Sequence, residues 1–307
     1  MLDTHGVRGA RLKAVIAVCL VGICACPALA APTWQSAVAQ AARFAPEARI
    51  VVLDEVSGRV LAASHLAEAA RTLAAPGSTL KPLALYGLVA AGRWDPARRV
   101  ACSRKLRIAG RSLNCSHPAA EPMDARQALT WSCNTYFATV AGMLAPGELR
   151  GLLAPTGLLG QTGLAKEEAT AVFHDPRSPD ETRLALLGVD GILVTPLELA
   201  TAYRWLALQL AARPGSAAAQ TVRAGLADSA SFGMAGAAAL GGVPVAGKTG
   251  TASPSTGGQS HGWFAGFAPS ETPRVIIAVY LPAGHGADAA RVAAEVLAHS
   301  PLRRAQP

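Results

Sequence analysis

Ala75-Pro76-Gly77-Ser78-Thr79-Leu80-Lys81-Pro82 puts a hydroxyl and a primary amine three residues apart where an apolar helix begins. That helix reads on to about Ala91 and is closed by Gly92. Residues i and i+3 share a helix face about one turn apart, so Ser78 and Lys81 can meet. The first turn of a helix also leaves N–H groups without internal partners near the serine oxygen. A serine hydroxyl is a weak nucleophile until a base reaches its proton, and a desolvated lysine can be that base. Taken alone, the same letters describe an N-cap serine followed by a solvated lysine, so the pair needs company.

Two further stretches supply it. Beyond residue 30 the chain has lysine only at 81, 105, 166 and 248, and uses arginine for its other cations. Guanidinium cannot act as a base near neutral pH, whereas an amine can lose its proton. Lys248 lies in Val245-Ala-Gly-Lys-Thr-Gly-Thr-Ala252, whose small residues allow a ligand backbone to lie against it. There Lys248 adds a positive field, and Thr249 and Thr251, on either side of Gly250, offer hydroxyls to a carboxylate. The chain has asparagine only at 114 and 134, each in a Ser-x-Asn triplet that can give a relay hydroxyl and a carbonyl-holding amide. Ser132-Cys133-Asn134 is preferred, because it breaks a helical pattern and is followed by Tyr136-Phe137 at packing spacing. Ser112-Leu113-Asn114 reads as a surface turn.

The Lys248 stretch has a rival reading. Gly242-Val-Pro-Val-Ala-Gly-Lys-Thr249 fits the phosphate-binding P-loop pattern letter for letter. That pattern requires a helix immediately afterwards, and Gly-Thr-Ala-Ser-Pro-Ser-Thr-Gly-Gly cannot start one.

Around these motifs, Arg49–Val56, a Ser57-Gly58 turn and Arg59–Ala63 read as a hairpin. Asp124 to about Leu144 is helical with an interruption near Ser132, residues 150–190 read as irregular, and Thr195-Pro196 caps a helix running to about Ala212. Val243–Ala252, His261–Ala268 and Arg274–Leu281 read as strands, and Asp288–His299 as a last helix. Strands at both ends with helices between them imply an α+β fold, one antiparallel sheet built from both termini with an inserted helical lobe.

Bulk properties bound the rest. Arg8, Arg11 and Lys13 precede an apolar run over Ala14–Ala25, and Ala28 and Ala30 form a small-residue cleavage site, so residues 1–30 read as a secretory signal. The run is too short for a span, which takes about 18–20 apolar residues. Residues 31–48 then form a short lead-in and 49–307 a single domain, expected to be exported. The formal charge of +8 shows no basic block or aromatic stripe that would fit nucleic acid. Cys102 and Cys115 bracket a polar, basic loop and are either a disulfide or two free thiols. No Cys-x-x-Cys or His/Cys cluster is visible in the spacing, so neither a metal nor a cofactor is expected.

Ser-x-x-Lys, Ser-x-Asn and Lys-Thr-Gly in this order form a catalytic set, and with it the chain resembles the transpeptidase domain of penicillin-binding proteins. The likeness extends to Ser57-Gly-Arg-Val-Leu-Ala62, Ile192-Leu-Val-Thr-Pro-Leu-Glu-Leu-Ala200 and His261-Gly-Trp-Phe-Ala-Gly-Phe-Ala-Pro269. It implies that Ser78 is acylated by D-alanyl-D-alanine stem peptides or β-lactams, with Lys81 taking its proton. Ser132 would relay a proton under the influence of Lys248, and Asn134 would hold the substrate amide. Thr249, Gly250 and Thr251 would line the carboxylate site, and the amides of Ser78 and Thr251 would form the oxyanion hole. Peptidoglycan stem peptides and β-lactams are thus the expected partners, with no nucleic acid; cell-wall assembly proteins stay open. The family's anchor and large N-terminal module do not fit within residues 31–48, which implies a stand-alone catalytic domain. Asp190 also stands where relatives more often carry Gln or Glu. D,D-transpeptidase and D,D-carboxypeptidase are both compatible with the motifs. A β-lactamase would need a deacylating carboxylate, for which Glu167 and Glu168 are the candidates, and a penicilloyl-binding sensor or scaffold would need little turnover.

Overall fold

The computed structural model describes residues 1–3, 31–118, 121–253 and 258–304. Residues 4–30, which carry most of the expected secretory signal, lie outside the described residues. Among the described residues no helix is long and apolar enough to cross a membrane. Pro32–Pro307 forms one compact unit.

Five strands make the central sheet: β1 (Arg49–Asp54), β2 (Val60–Ser64), β3 (Ala246–Ala252), β4 (His261–Ala268) and β5 (Val275–Leu281). Their order is β2-β1-β5-β4-β3, with every neighbouring pair antiparallel. The N-terminal hairpin therefore joins the C-terminal meander through β1 and β5, with Val51 opposite Ala278. This is the expected α+β arrangement. Asp54 closes the hairpin turn by accepting from the Ser57 amide and hydroxyl at 2.7 and 2.6 Å.

Side chains alternate across the sheet with period two. Ile50, Val52, Ile277 and Val279 enter one core, while Val51, Leu53, Ile276 and Ala278 enter the other. Both faces are covered, so β5 is apolar along its whole length instead of alternating with polar residues. Each fully buried Val, Ile or Phe here contributes roughly 1.5–3 kcal/mol.

In chain order the helices that position the site are α1 (Trp34–Phe44), α2 (Lys81–Ala90), α3 (Ala125–Thr130), α4 (Asn134–Ala141), α5 (Pro196–Ala212), α6 (Ala217–Ser231) and α7 (Gly286–Ala298). α1 and α7 cover one face of the sheet, and α5 packs on the other beneath the helical lobe. The stretch expected to be a bare lead-in thus contains α1, whose Ala37, Val38 and Ala41 are buried. Residues 150–190, read as irregular, contain a short helix at Pro179–Leu186, and Glu148–Leu153 forms another at their start. Thr195 caps α5 as expected, and Glu198 completes a reciprocal capping box with it. Glu198 is itself buried, and its other oxygen accepts from the Ala171 amide at 2.6 Å, which pins the irregular segment to α5.

Two glycines bring the Ser78 segment against the lobe. Gly77 and Gly188 both adopt positive φ, +56° and +69°, and the Gly77 amide donates to the Gly188 carbonyl at 2.8 Å. A Cβ on Gly188 would overlap the Gly77 carbonyl. Gly188→Ala is therefore expected to destabilise the chain by about 2–4 kcal/mol. Urea unfolding checks this, and a variant as stable as wild type would show that the contact yields freely.

Candidate active site

The segment before Ser78 is held by its carbonyls. His261 Nε2 and Trp263 Nε1 both donate to the Ala75 carbonyl, at 2.8 and 2.9 Å. Burial lowers the pKa of His261, which favours the neutral ring, and donation to Ala75 fixes its tautomer. The Tyr203 hydroxyl, buried in α5, donates to the Thr79 carbonyl at 2.9 Å. Gly77–Leu80 forms a single 3-10 turn, from which α2 continues at Lys81. Ser78, half-buried, therefore projects from a turn gripped by the sheet on one side and α5 on the other. None of these clamping residues was singled out in the sequence. They act through side-chain bonds to main-chain atoms more than a hundred residues away.

Lys81 is 0 % exposed. Its amine donates to the Ser132 carbonyl at 2.9 Å, the Ser132 hydroxyl at 3.3 Å and Asn134 Oδ1 at 2.6 Å. The expected Ser-x-x-Lys and Ser-x-Asn elements thus meet directly. Burial pushes the Lys81 pKa down to about 7. An amine tuned to that value can exchange a proton near neutrality.

Ser132 sits between α3 and α4 with φ +56°, a left-handed conformation unusual for a residue with a Cβ. The break turns both its carbonyl and its hydroxyl toward Lys81. Asn134 opens α4, and its Nδ2 donates to the Leu113 carbonyl at 3.0 Å, leaving Oδ1 aimed at the amine. The Ser112-Leu113-Asn114 triplet is therefore the loop that orients Asn134, with Asn114 Oδ1 accepting from the Leu106 amide at 3.0 Å.

Lys248 is also fully buried, and its amine donates to the Thr249 carbonyl at 3.1 Å. Its pKa lies well below the ordinary lysine value, through burial first and the Lys81 charge second. β3 is an edge strand, and Gly250 lets the Pro76 carbonyl close on it where a Cβ would intrude. The Thr251 amide lies against Gly77, the residue before Ser78. Thr249 and Thr251 alternate with Lys248 along the strand. The Thr249 hydroxyl donates to the Met234 carbonyl at 3.4 Å, and Thr251 Oγ1 accepts from the Gly286 amide at 2.9 Å. Of the two, Thr251 is the exposed one. A cleft of about 370 Å³ opens alongside, lined by Ala74, Ala75, Asp190, Ser253, His261 and Tyr280.

The rival readings fare differently. Lys248 and Thr249 lie inside a strand paired with β4, not at a strand-to-helix turn, so the phosphate-loop pattern is a coincidence of letters. Glu168 spends both oxygens on the amides and hydroxyl of Thr162–Ala165, and exposed Glu167 pairs with Arg71 at 2.9 Å. Neither carboxylate bonds to Ser78, Lys81 or Ser132. Of the two readings of Cys102 and Cys115, that of free thiols holds, and Cys133 is free as well. The expected absence of a His/Cys cluster is corrected: folding brings the three thiols together with His117.

Ser132→Gly and Ser132→Ala both remove the hydroxyl, but only alanine keeps the left-handed strain. Ser132→Gly should be more stable than Ser132→Ala by about 1 kcal/mol, the reverse of their order in ordinary helix. Urea denaturation of the two variants measures this, and equal stabilities would remove the claim of strain at the break.

Comparison with known proteins adds the lineage. Among solved structures, the apo transpeptidase domain of Burkholderia pseudomallei penicillin-binding protein 3 superposes with a TM-score of 0.74 at 21% identity, covering 91% of this chain and 97% of that one. Pseudomonas aeruginosa PBP2 in complex with WCK 5153 gives 0.70 at 22% identity, covering 87% and 75%. A chain of a peptidoglycan synthase complex gives 0.69 at 23%, covering 87% of this chain and 59% of that one. At these identities the likeness establishes the fold. No curated protein sequence matches the chain. The family described as penicillin binding protein transpeptidase domain matches residues 48–300. With that span covering most of its length, the chain belongs to the transpeptidase-domain family of penicillin-binding proteins.

Proposed function

We propose that this chain is a serine acyl-transferase of the cell wall, a D,D-transpeptidase or D,D-carboxypeptidase acting on D-alanyl-D-alanine stem peptides and acylated by β-lactams. The observation that carries the reading is the buried Lys81 amine, tuned toward neutrality and fixed on Ser132 and Asn134 one turn from Ser78. Neutral Lys81 takes the Ser78 proton as Oγ attacks the carbonyl carbon of the penultimate D-alanine. The amides of Ser78 and Thr251 receive the developing oxyanion, an interaction typically contributing about 3–4 kcal/mol at the transition state. Ser132 passes a proton to the departing D-alanine nitrogen and recovers one from the Lys81 ammonium, leaving the acyl group on Ser78 and Lys81 neutral again. Water or a second stem-peptide amine then takes the acyl group, and Ser78 regains its proton.

Lys248 supplies a buried amine donor and a polar floor beside this relay, Asn134 holds the donor amide, and Thr249, Gly250 and Thr251 form the carboxylate end. Exposed Thr251 is the stronger candidate for direct contact, since Thr249 is engaged with Met234. Export to the wall face follows from this reading together with the leader. The engagement of Glu167 and Glu168 elsewhere disfavours fast deacylation of the β-lactamase kind.

Incubation with a fluorescent penicillin, followed by intact mass over hours, tests the proposal. Wild type should form a slowly cleared adduct and Ser78→Ala none; labelling that persists in Ser78→Ala ends the assignment. Rapid clearance with continuous β-lactam consumption would instead favour a lactamase. Lys81→Arg keeps a cation but loses the base, and should slow acylation by about 10²–10⁴-fold.

The pH dependence has a definite sign. The neutral amine is the active form, so the acylation rate should rise with pH and reach half its plateau near 7. A profile flat between pH 5 and 9, an interval spanning roughly two pH units on either side of that value, would argue against Lys81 as the base.

A further inference from the structure

Four side chains that the acyl-transfer reading does not use converge behind Ser132–Asn134. Cys102 Sγ, Cys115 Sγ, Cys133 Sγ and a ring nitrogen of His117 all lie within 4.8 Å of one another. Cys102 Sγ is 3.5 Å from His117 Nε2, and Cys115 Sγ is 3.9 Å from Cys133 Sγ. A tetrahedral Zn²⁺ with Zn–S of about 2.3 Å and Zn–N of about 2.0–2.1 Å requires sulfurs about 3.8 Å apart and sulfur–nitrogen pairs about 3.6 Å apart. We propose that these four residues bind one Zn²⁺ ion in a closed Cys₃His site.

The surroundings fit a ligand set better than a group of idle thiols. His117 is buried, and its Nδ1 lies 2.6 Å from the Pro118 carbonyl, so Nδ1 carries the proton and the Nε2 lone pair faces the sulfurs. That second bond is what orients metal-binding histidines generally. Backbone amides point at two of the sulfurs, Arg104 N at Cys102 and Asn134 N at Cys115, at 3.3 and 3.2 Å. The Thr135 hydroxyl lies 3.6 Å from Cys102 Sγ and 3.8 Å from Cys115 Sγ. Donors arranged round sulfur favour thiolate, and thiolate with imidazole selects a soft or borderline ion such as Zn²⁺ over Mg²⁺ or Ca²⁺. On binding, each ligating thiol still protonated releases its proton to solvent. A Cys115–Cys133 disulfide is the competing chemistry. It would leave Cys102 unpaired and give no reason for the His117 ring to face the sulfurs.

The ion has four protein ligands and no open position, so it holds structure rather than substrate. It joins the loop bearing Cys102, Cys115 and His117 to the Cys133 position inside Ser132-Cys-Asn134. Through Asn134 it would steady the acceptor of the Lys81 amine. That consequence for acylation rests on the function proposed above; the binding of the ion does not.

The test uses the full chain, purified without chelator or histidine tag. Elemental analysis should find about one zinc per chain, and native mass should show it bound. Replacement by Co²⁺ should give a thiolate charge-transfer band in the near ultraviolet together with tetrahedral d–d bands. Cys102→Ser, at the most exposed ligand, should lower zinc affinity at least tenfold. Stripping the metal under reducing conditions should slow penicillin acylation at least tenfold, with recovery on adding zinc. Metal-free protein with three titratable thiols that takes up no Zn²⁺ or Co²⁺ would overturn the proposal. So would a mass 2 Da low from a Cys115–Cys133 bridge in the folded chain. Stoichiometric zinc without penicillin labelling would sink the acyl-enzyme reading and leave the metal site standing.

Discussion

An ammonium group taken out of water must find acceptors or give up its proton, and the Lys81 amine does some of both. It has three acceptors, two of them on Ser132 and one on Asn134, and burial still lowers its proton affinity toward neutrality. That requirement reaches into the backbone. Two acceptors from Ser132 need the chain to turn sharply between α3 and α4, which the left-handed conformation of Ser132 provides. Such conformations typically cost about 1–3 kcal/mol and persist where the surrounding structure over-determines them. On the other side of the site, Tyr203, His261 and Trp263 hold the carbonyls of Thr79 and Ala75, which fixes the backbone on both sides of Ser78.

The second buried lysine makes the electrostatics asymmetric. Lys248 donates to one backbone carbonyl, whereas Lys81 has three oxygens around it. Two like charges in a dry site repel, so a proton held by the pair is better placed on Lys81. The charge on Lys81 contributes to the lowered pKa of Lys248. Arginine at either position would hold its charge permanently, which gives a physical reason for lysine at 81 and 248 in a chain otherwise rich in arginine.

Much of this was legible in the sequence where the controlling interactions are local. The β1–β2 hairpin announces itself by β-branched residues around Ser57-Gly58, and the α5 start by Thr195-Pro196. Ser78 and Lys81 share a helix face by spacing alone. Other features depended on distant partners. α2 and α5 are buried nearly all round and read as continuous apolar runs, whereas α1 and α6 carry mostly small residues, alanine above all, on their buried faces. The roles of Thr249 and Thr251 separate only once β3 is paired, when Thr249 turns toward Met234 and Thr251 reaches the exposed edge. The Cys₃His cluster has no readable spacing, because its residues come from a loop and the break before α4. Only the fold of that loop brings 102, 115, 117 and 133 together.

Asn134 shows why these separate features belong to one construction. Its Oδ1 accepts from Lys81, its Nδ2 donates to Leu113, and its backbone amide points at Cys115. A side-chain amide used only to hold substrate would keep both ends free. Here one end is committed to the Lys81 amine and the other to the loop, so the orientation of Asn134 is set before any ligand arrives. Preorganisation of this kind lowers the reorganisation needed at the moment of reaction. It also transfers the burden of precision from Asn134 to whatever fixes the loop from Cys102 to His117. That loop has little regular structure beyond a two-residue ladder pair at Arg107–Ile108 and Arg111–Ser112. Side-chain and main-chain bonds to Asn134 and the convergence of its sulfur and imidazole groups on Cys133 must therefore provide its rigidity. The Lys81 contacts and the thiol–imidazole cluster are coupled through that single residue.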